Sequence, residues 1–334
     1  MMWLSWRQAR AQTATLYAAV AACAAVLAVT GPRLPRSGAG IFDLLTPGDR
    51  RLYFTGLIVV AVAPALVGAF LGAPMVAREL ENGTHRLAWS QGVTRTRWLA
   101  VRLGLTALAA AAAVGVLTLA VTWWAAPLDG AASESRGSLP SRLTPVSFAM
   151  RGITPVAYTV FALVLGVAIG IVLRRSIAAL ALTLALFTFV QIAMPLWVRP
   201  HLIPPTTQVT TISEDTIDGI GYHDSDPVPT LEVRGPAGAW VLSDRTVDAS
   251  GRAVPVPASF VDCDPGPPRP DQRVTEVRPR LETCLTQLSA AGYRQQLVYQ
   301  PASRFWPLQW AETGVFLALS GLLAWFSFWR LRRV

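Results

Sequence analysis

The chain contains no lysine: all 29 of its basic residues are arginine. A phosphate-cradling loop of the form G-x-x-x-x-G-K-[ST] needs that lysine, so this chain carries no such loop and is not expected to hydrolyse ATP itself. Histidine is nearly missing as well. The three present, His85, His201 and His223, show no ligand spacing with one another or with the three cysteines, which argues against a metal centre. Charge is scarce too, at 15% of residues against roughly 25% in an ordinary soluble domain. That shortage is local. Six apolar runs, 14–31, 53–76, 103–126, 153–173, 176–198 and 306–329, together hold 134 residues and one charge, Glu312. The other 200 residues are 24% charged, so the deficit belongs wholly to the runs. Each run matches the about 20 helical residues needed to cross a bilayer core. A soluble single-domain enzyme is thereby excluded.

What surrounds the runs orients them. With the N-terminus taken as cytoplasmic, the short inside segments carry 12 arginines and the short outside loops seven, and six crossings return the C-terminus to the same side. Ten of the 12 tryptophans fall at or near run ends, where the headgroup zone favours them. Residues 1–13 place Trp and Leu beside Arg without enough apolar length to span, and read as an interfacial helix; a disordered leader is the alternative. The Val20-Ala21-Ala22-Cys23 stretch is similar to a lipoprotein cleavage box, but the apolar run continues beyond Cys23, which favours an uncleaved helix with Cys23 buried.

The segment 199–305 holds 14 of the 25 prolines and reads as an extracytoplasmic domain of short strands and loops. Thr230–Val233 and Trp240–Ser243 are expected to form a hairpin. Leu281, Cys284, Leu285 and Leu288 mark one face of a helix. This segment is net −3 and the rest net +12, so the basic balance reports membrane orientation and does not point to nucleic acid. Cys263 and Cys284 lie 21 positions apart outside the cytoplasm, where a disulfide closing such a loop contributes about 3 kcal/mol; two free thiols are the alternative.

Within the runs, Glu312 is the one candidate for ion coupling. An outward-facing residue touching water or Arg304 is the preferred reading. Gly68 with Gly72 and Gly166 with Gly170 form G-x-x-x-G pairs, which imply close packing within the chain or with a second copy. Pro64, Pro74 and Pro195 are candidate kink sites.

The most informative stretch lies on the inside between the second and third runs. Gly83 can end a helix in the left-handed conformation, and Thr84 can cap a short one that runs to Gln91. Thr94 can then cap the next span. That short helix would present Leu87, Ala88 and Trp89 beside His85 and Arg86, an apolar knob with a charged rim that suits a soluble partner; a plain solvated loop is the equal alternative.

From Pro74 to Arg102 the residues resemble the loop after the second helix in type-2 permeases of bacterial ATP-binding-cassette exporters. In that family a Glu, a Gly-Thr pair and a later Arg bracket a coupling helix that docks on the ATPase. Glu79 or Glu81, Gly83 with Thr84, and Arg95 or Arg97 fit, with Arg86, Leu87 and Trp89 on the docking surface. Gly92-Val93 stands where the family often has a proline, and Arg102 where it often has a lysine.

The resemblance implies an all-α polytopic membrane protein of the bacterial plasma membrane, both termini cytoplasmic. Its parts would be an interfacial helix at 1–13, five spans over 14–198 with a coupling segment at 77–98, an extracytoplasmic domain at 199–305, and a sixth span with a basic tail at 306–334. It further implies a non-enzymatic permease subunit that binds no cofactor of its own, ATP being held by separate cassette ATPase subunits. A second permease subunit, identical or not, and membrane lipid complete the partners. The competing function is a membrane-anchored sensor or assembly protein whose extracytoplasmic domain binds a ligand.

Overall fold

Apolar runs that cannot leave a peptide group unpaired in hydrocarbon become helices, and the chain follows this along its length. The structure, a computed structural model, describes residues 2–34, 45–83, 94–134, 140–223, 226–257, 260 and 274–333. In chain order the elements are α1 (Met2–Thr30), α2 (Pro47–Glu81), α3 (Arg95–Glu134), α4 (Pro145–Ala149), α5 (Thr154–Leu173), α6 (Ser176–Leu202), β1 (Thr206–Thr211), β2 (Ile217–His223), β3 (Asp226–Val233), β4 (Trp240–Val247), α7 (Val274–Ala290), β5 (Arg294–Gln300) and α8 (Phe305–Arg332). Two units result: Met1–Ile203 with Phe305–Val334, and Pro204–Arg304.

In the first unit, α2, α3, α5, α6 and α8 are long and apolar enough to cross a membrane. The apolar stretch of the first helix, Tyr17–Arg33, is shorter by the same measure. The backbone of α1 nevertheless runs unbroken from Met2 to Thr30, and Cys23 on it is half-buried. Local chemistry explains the helix starts. Thr46 and Asp49 form a reciprocal capping box at α2, with Pro47 in the first turn. All three flagged prolines adjoin widened turns: the π-helical Val67–Gly72 in α2 lies between Pro64 and Pro74, and Met194–Val198 in α6 is π-helical around Pro195.

The centre of this unit is α5, of whose 20 residues 16 are buried, as expected of a helix apolar on every side. Its contact with α2 is backbone on backbone. A Cβ placed on Gly68 would lie 2.6 Å from the Ala162 carbonyl oxygen, and one on Gly72 2.5 Å from that of Leu163. Gly166 and Gly170 meet α2 in the same way, so the two G-x-x-x-G pairs pack against each other within one chain. Arg174, with φ 54°, and Arg175 alone join α5 to α6.

Helix directions alternate. At one end, Leu331 of α8 packs with Met75, Val76, Trp98 and Leu99 of α2 and α3. At the other, the Trp124 indole of α3 donates to Thr30 Oγ1 of α1 (3.0 Å), and Leu34 and Tyr53 join the same cluster. The start of α1 and the end of α8 therefore lie at the same end of the bundle.

The second unit carries a three-stranded antiparallel sheet in the order β1-β5-β4 and a separate β2-β3 ribbon. The hairpin expected from Thr230–Val233 and Trp240–Ser243 is not formed. Both stretches are strands, but β3 pairs with β2, setting Ile220 opposite Leu231, and β4 pairs with β5. The turn closed by Ala239 N–H to the Pro236 carbonyl, with Gly238 at φ 68°, turns the chain out of the first ribbon. Helix α7 buries Leu285 and Leu288, with Leu281 and Cys284 half-buried beside them, against Ile212, Leu231, Val256 and Phe260. The apolar face matches that read from the sequence, but the helix begins at Val274, seven residues before the expected Leu281. Cys263 lies outside the described residues.

Candidate functional site: a tied helix junction and a buried ion pair

The candidate coupling residues fall at the end of α2 and the start of α3. Thr84, Arg86, Leu87 and Trp89 lie outside the described residues; Glu79, Glu81, Gly83 and Arg95 lie within them. Asn82 closes α2 by donating to the Arg78 carbonyl (3.0 Å), and Gly83 follows at φ 70°, the left-handed conformation that a glycine adopts without strain. Across the gap, Thr94 Oγ1 accepts the Arg97 N–H (3.3 Å) and caps α3, whose first residue is Arg95.

The two glutamates take different partners. Glu79 forms an ion pair with Arg102 on α3, whose guanidinium also lies 5.4 Å from the Trp98 ring. Glu81 reaches α6, where its Oε2 accepts the Ser176 N–H (3.0 Å) and the Ser176 hydroxyl (2.8 Å). A carboxylate at that helix start satisfies a free N–H and complements the helix dipole. The last turn of α2 is thus tied to α3 on one side and to α6 on the other. With the α8 end packed alongside, Arg78, Arg102, Arg174, Arg175, Arg330, Arg332 and Arg333 gather at this end of the bundle.

At the opposite end lies a polar lock that sequence reasoning missed. Glu312 faces neither water nor Arg304, correcting that expectation: it is fully buried. Its Oε2 accepts Arg199 Nε–H (2.7 Å) and its Oε1 accepts Arg199 Nη2–H (3.0 Å), a bidentate pair from the last turn of α6 to the second turn of α8. Tyr158 of α5 donates its hydroxyl to the same carboxylate. Arg199 also donates through Nη1 to the Pro145 carbonyl (3.1 Å) and lies 4.3 Å from the Phe148 ring of α4. Arg304 turns instead to Gln300 and the Pro204 carbonyl.

One turn before Glu312, Gln309 uses its whole amide. Its Oε1 accepts the Ile153 and Thr154 N–H groups, each at 3.0 Å, and its Nε2 donates to the Phe148 and Arg151 carbonyls, each at 3.1 Å. It caps α5 and holds the α4–α5 turn from α8. Gly152 in that turn has φ 67°, and a Cβ there would lie 2.7 Å from Gln309 Oε1. Arg151, itself buried, pairs with Asp129 of α3 and sits 5.3 Å from the Tyr53 ring of α2. Its Nε and Nη2 have no partner among the described residues, nor do Tyr53 Oη and Ser147 Oγ. Five helices therefore converge on α4 through buried arginine, glutamate and glutamine side chains.

A signal for the lock was present. Glu312 is one and a half turns inside the sixth run and Arg199 directly follows the fifth, so both belong at the same depth. Among the described residues no group of three or more His, Cys, Asp or Glu is placed to hold a metal ion. Chemically the site offers a helix end tied to two neighbouring helices at one end of the bundle and a buried charge pair at the other.

Residues 3–199 match the family described as ABC-2 membrane transporter related, which is more than half of the chain. Neither the curated proteins nor the solved structures give a match. A bundle of apolar helices with a transporter family's sequence from α1 into α6 makes this a multi-pass membrane protein and the membrane subunit of a transporter: the chain belongs to the ABC-2 membrane transporter related family.

Proposed function

We propose that this chain is the permease subunit of an ATP-driven exporter in the bacterial plasma membrane. Energy reaches it from separate cassette ATPase subunits, which bind and hydrolyse the ATP. The arginine-rich end of the bundle is cytoplasmic, following the inside bias of arginine, so α1 makes the sixth crossing, residues 1–13 enter from the interface, and both termini are cytoplasmic. A second permease subunit completes the pathway, and a Cys263–Cys284 disulfide braces the outer unit.

One observation carries this function: the segment between Gly83 and Thr94 hangs from a turn whose two carboxylates grip different helices, Glu79 on Arg102 and Glu81 on Ser176. Force applied to Leu87 and Trp89 is then shared by α2, α3 and α6 at once. The Arg199–Glu312–Tyr158 lock is the outer closure that such a movement has to open for alternating access.

Affinity-tagged chain purified from native membranes is expected to bring down a cassette ATPase, and Leu87→Asp with Trp89→Asp is expected to abolish that capture. Glu79→Gln with Glu81→Gln should keep the ATPase bound while reducing its stimulated turnover in reconstituted vesicles. Purification without an ATPase, or capture unaffected by the two aspartates, rules the coupling out.

A further inference from the structure

Between α1, α2 and α6 runs a half-open groove of about 600 Å³. Leu66, Phe70, Leu71, Ile177 and Leu180 give it an apolar wall, and Arg78 and Ser176 stand at one end. Leu66 and Arg78 lie 12 residues apart on one helix, about 18 Å, close to the roughly 15 Å of hydrocarbon in one leaflet of a bilayer. The other end of α2 fixes the depth. Arg51 precedes Arg78 by 27 residues, about 40 Å, which is the thickness of a bilayer with its headgroups. Arg78 therefore sits at headgroup level with the apolar groove leading away from it. It is exposed and, like the exposed Arg175 beside Ser176, forms no ion pair among the described residues. Glu81 meets the charges of both, but it is a single carboxylate that already accepts the Ser176 N–H and hydroxyl, so the rim stays net positive.

We infer that this groove holds one acyl chain of an anionic phospholipid, with the lipid phosphate on Arg78. A guanidinium meets phosphate with paired N–H donors. The net positive rim favours a lipid of net negative charge over a zwitterion, and the wall takes a chain one leaflet long. A second copy of this chain is the poorer occupant. Docked about a two-fold axis, it would set the same patch against itself and double the positive charge of Arg78 and Arg175 at the contact. The site requires only that the bundle span a membrane; it depends neither on an ATPase nor on which end of the bundle is cytoplasmic.

The test uses the full chain in dodecyl maltoside micelles, titrated with dioleoylphosphatidylglycerol, dioleoylphosphatidylcholine or glycerol phosphate and read by native mass spectrometry. Phosphatidylglycerol is expected to bind about tenfold more tightly than phosphatidylcholine, the scale of a hydrogen bond to a charged group, and glycerol phosphate not to bind. Arg78→Gln should erase that preference. Arg332→Gln removes a charge from the same end of the bundle but outside the groove, and should preserve it. Leu180→Trp narrows the groove without touching a charge; it should weaken both lipids and serves if Arg78→Gln fails to fold. Equal affinity for the two lipids, glycerol phosphate bound as tightly as either, equal losses in the two arginine variants, or unchanged binding in Leu180→Trp would overturn the site. Ile177→Cys, 86% exposed in the groove wall and with the native cysteines replaced by serine, should not crosslink to a second copy on oxidation. A crosslinked pair would give the groove to that copy and overturn the lipid.

Discussion

Glu312 is the one carboxylate in the six apolar runs, and a guanidinium meets it with two parallel hydrogen bonds. In a low-dielectric interior each charge alone costs more than the pair, so the two residues stand or fall together. Arg199→Met or Glu312→Leu by itself is expected to destabilise the protein by about 3–5 kcal/mol. Arg199→Met, Glu312→Leu and Tyr158→Phe combined should recover most of that loss, since no charge or hydroxyl is left stranded. Thermal unfolding in nanodiscs measures both; a triple variant no more stable than the singles would refute the pairing argument. At the surface of the second unit the balance runs the other way. The Ser250 hydroxyl, followed by the Arg252 and Ser250 N–H groups, holds the Asp248 carboxyl down at about 2, below its ordinary value of 3.8. A depressed carboxylate stabilises the folded state above its ordinary value, and that contribution disappears as pH falls from about 3.8 towards about 2. A carboxyl-carbon titration should find the midpoint at the lower value, and Ser250→Ala should raise it; identical midpoints in the two proteins would contradict the assignment. Burial, with a smaller contribution from the neighbouring Glu232, raises Asp244 instead, so its unfavourable contribution is relieved on acidification.

Between elements, the glycine crossing of α2 and α5 shows how an interface with no hydrophobic drive of its own is held, by backbones close enough for dispersion forces. Gly72→Ala pushes a methyl into the Leu163 carbonyl and should cost about 1–3 kcal/mol. Gly104→Ala in α3 meets open space and should be neutral or mildly stabilising, by up to about 1 kcal/mol. If melting curves rank the two variants the other way, the crossing does not hold the bundle. The paired glycines were visible in the sequence, and so was Gly83 at a positive φ, because spacing and turn chemistry are local. Strand partners were not: β3 and β4 were both legible as strands, yet each exchanges its hydrogen bonds with a different neighbour.

At the scale of the molecule, alternating helix directions bring the arginine-rich ends together and set the lock at the far end. In the proposed orientation, a membrane-impermeant maleimide should label Asp215→Cys, in a turn of the second unit, on intact cells. Arg333→Cys should react only after permeabilisation. The native cysteines are replaced by serine in both, and the reverse pattern would invert the topology and place the joint out of reach of a cytoplasmic ATPase.

The amino-acid sequence by itself determined five bilayer-length helices and where a proline-rich unit interrupts them, because hydrocarbon penalises every charge and every unpaired peptide group, a criterion each segment meets or fails alone; the first run, read as a sixth, has a shorter apolar stretch. Only the tertiary structure decided that Glu312 meets Arg199, 113 positions away, and not the nearby Arg304. It also decided that the two glycine pairs face each other and that Glu79 and Glu81 diverge to different helices. Those choices depend on how far apart helix axes pack and on which buried polar group remains to be satisfied, quantities that exist only once distant segments are in contact.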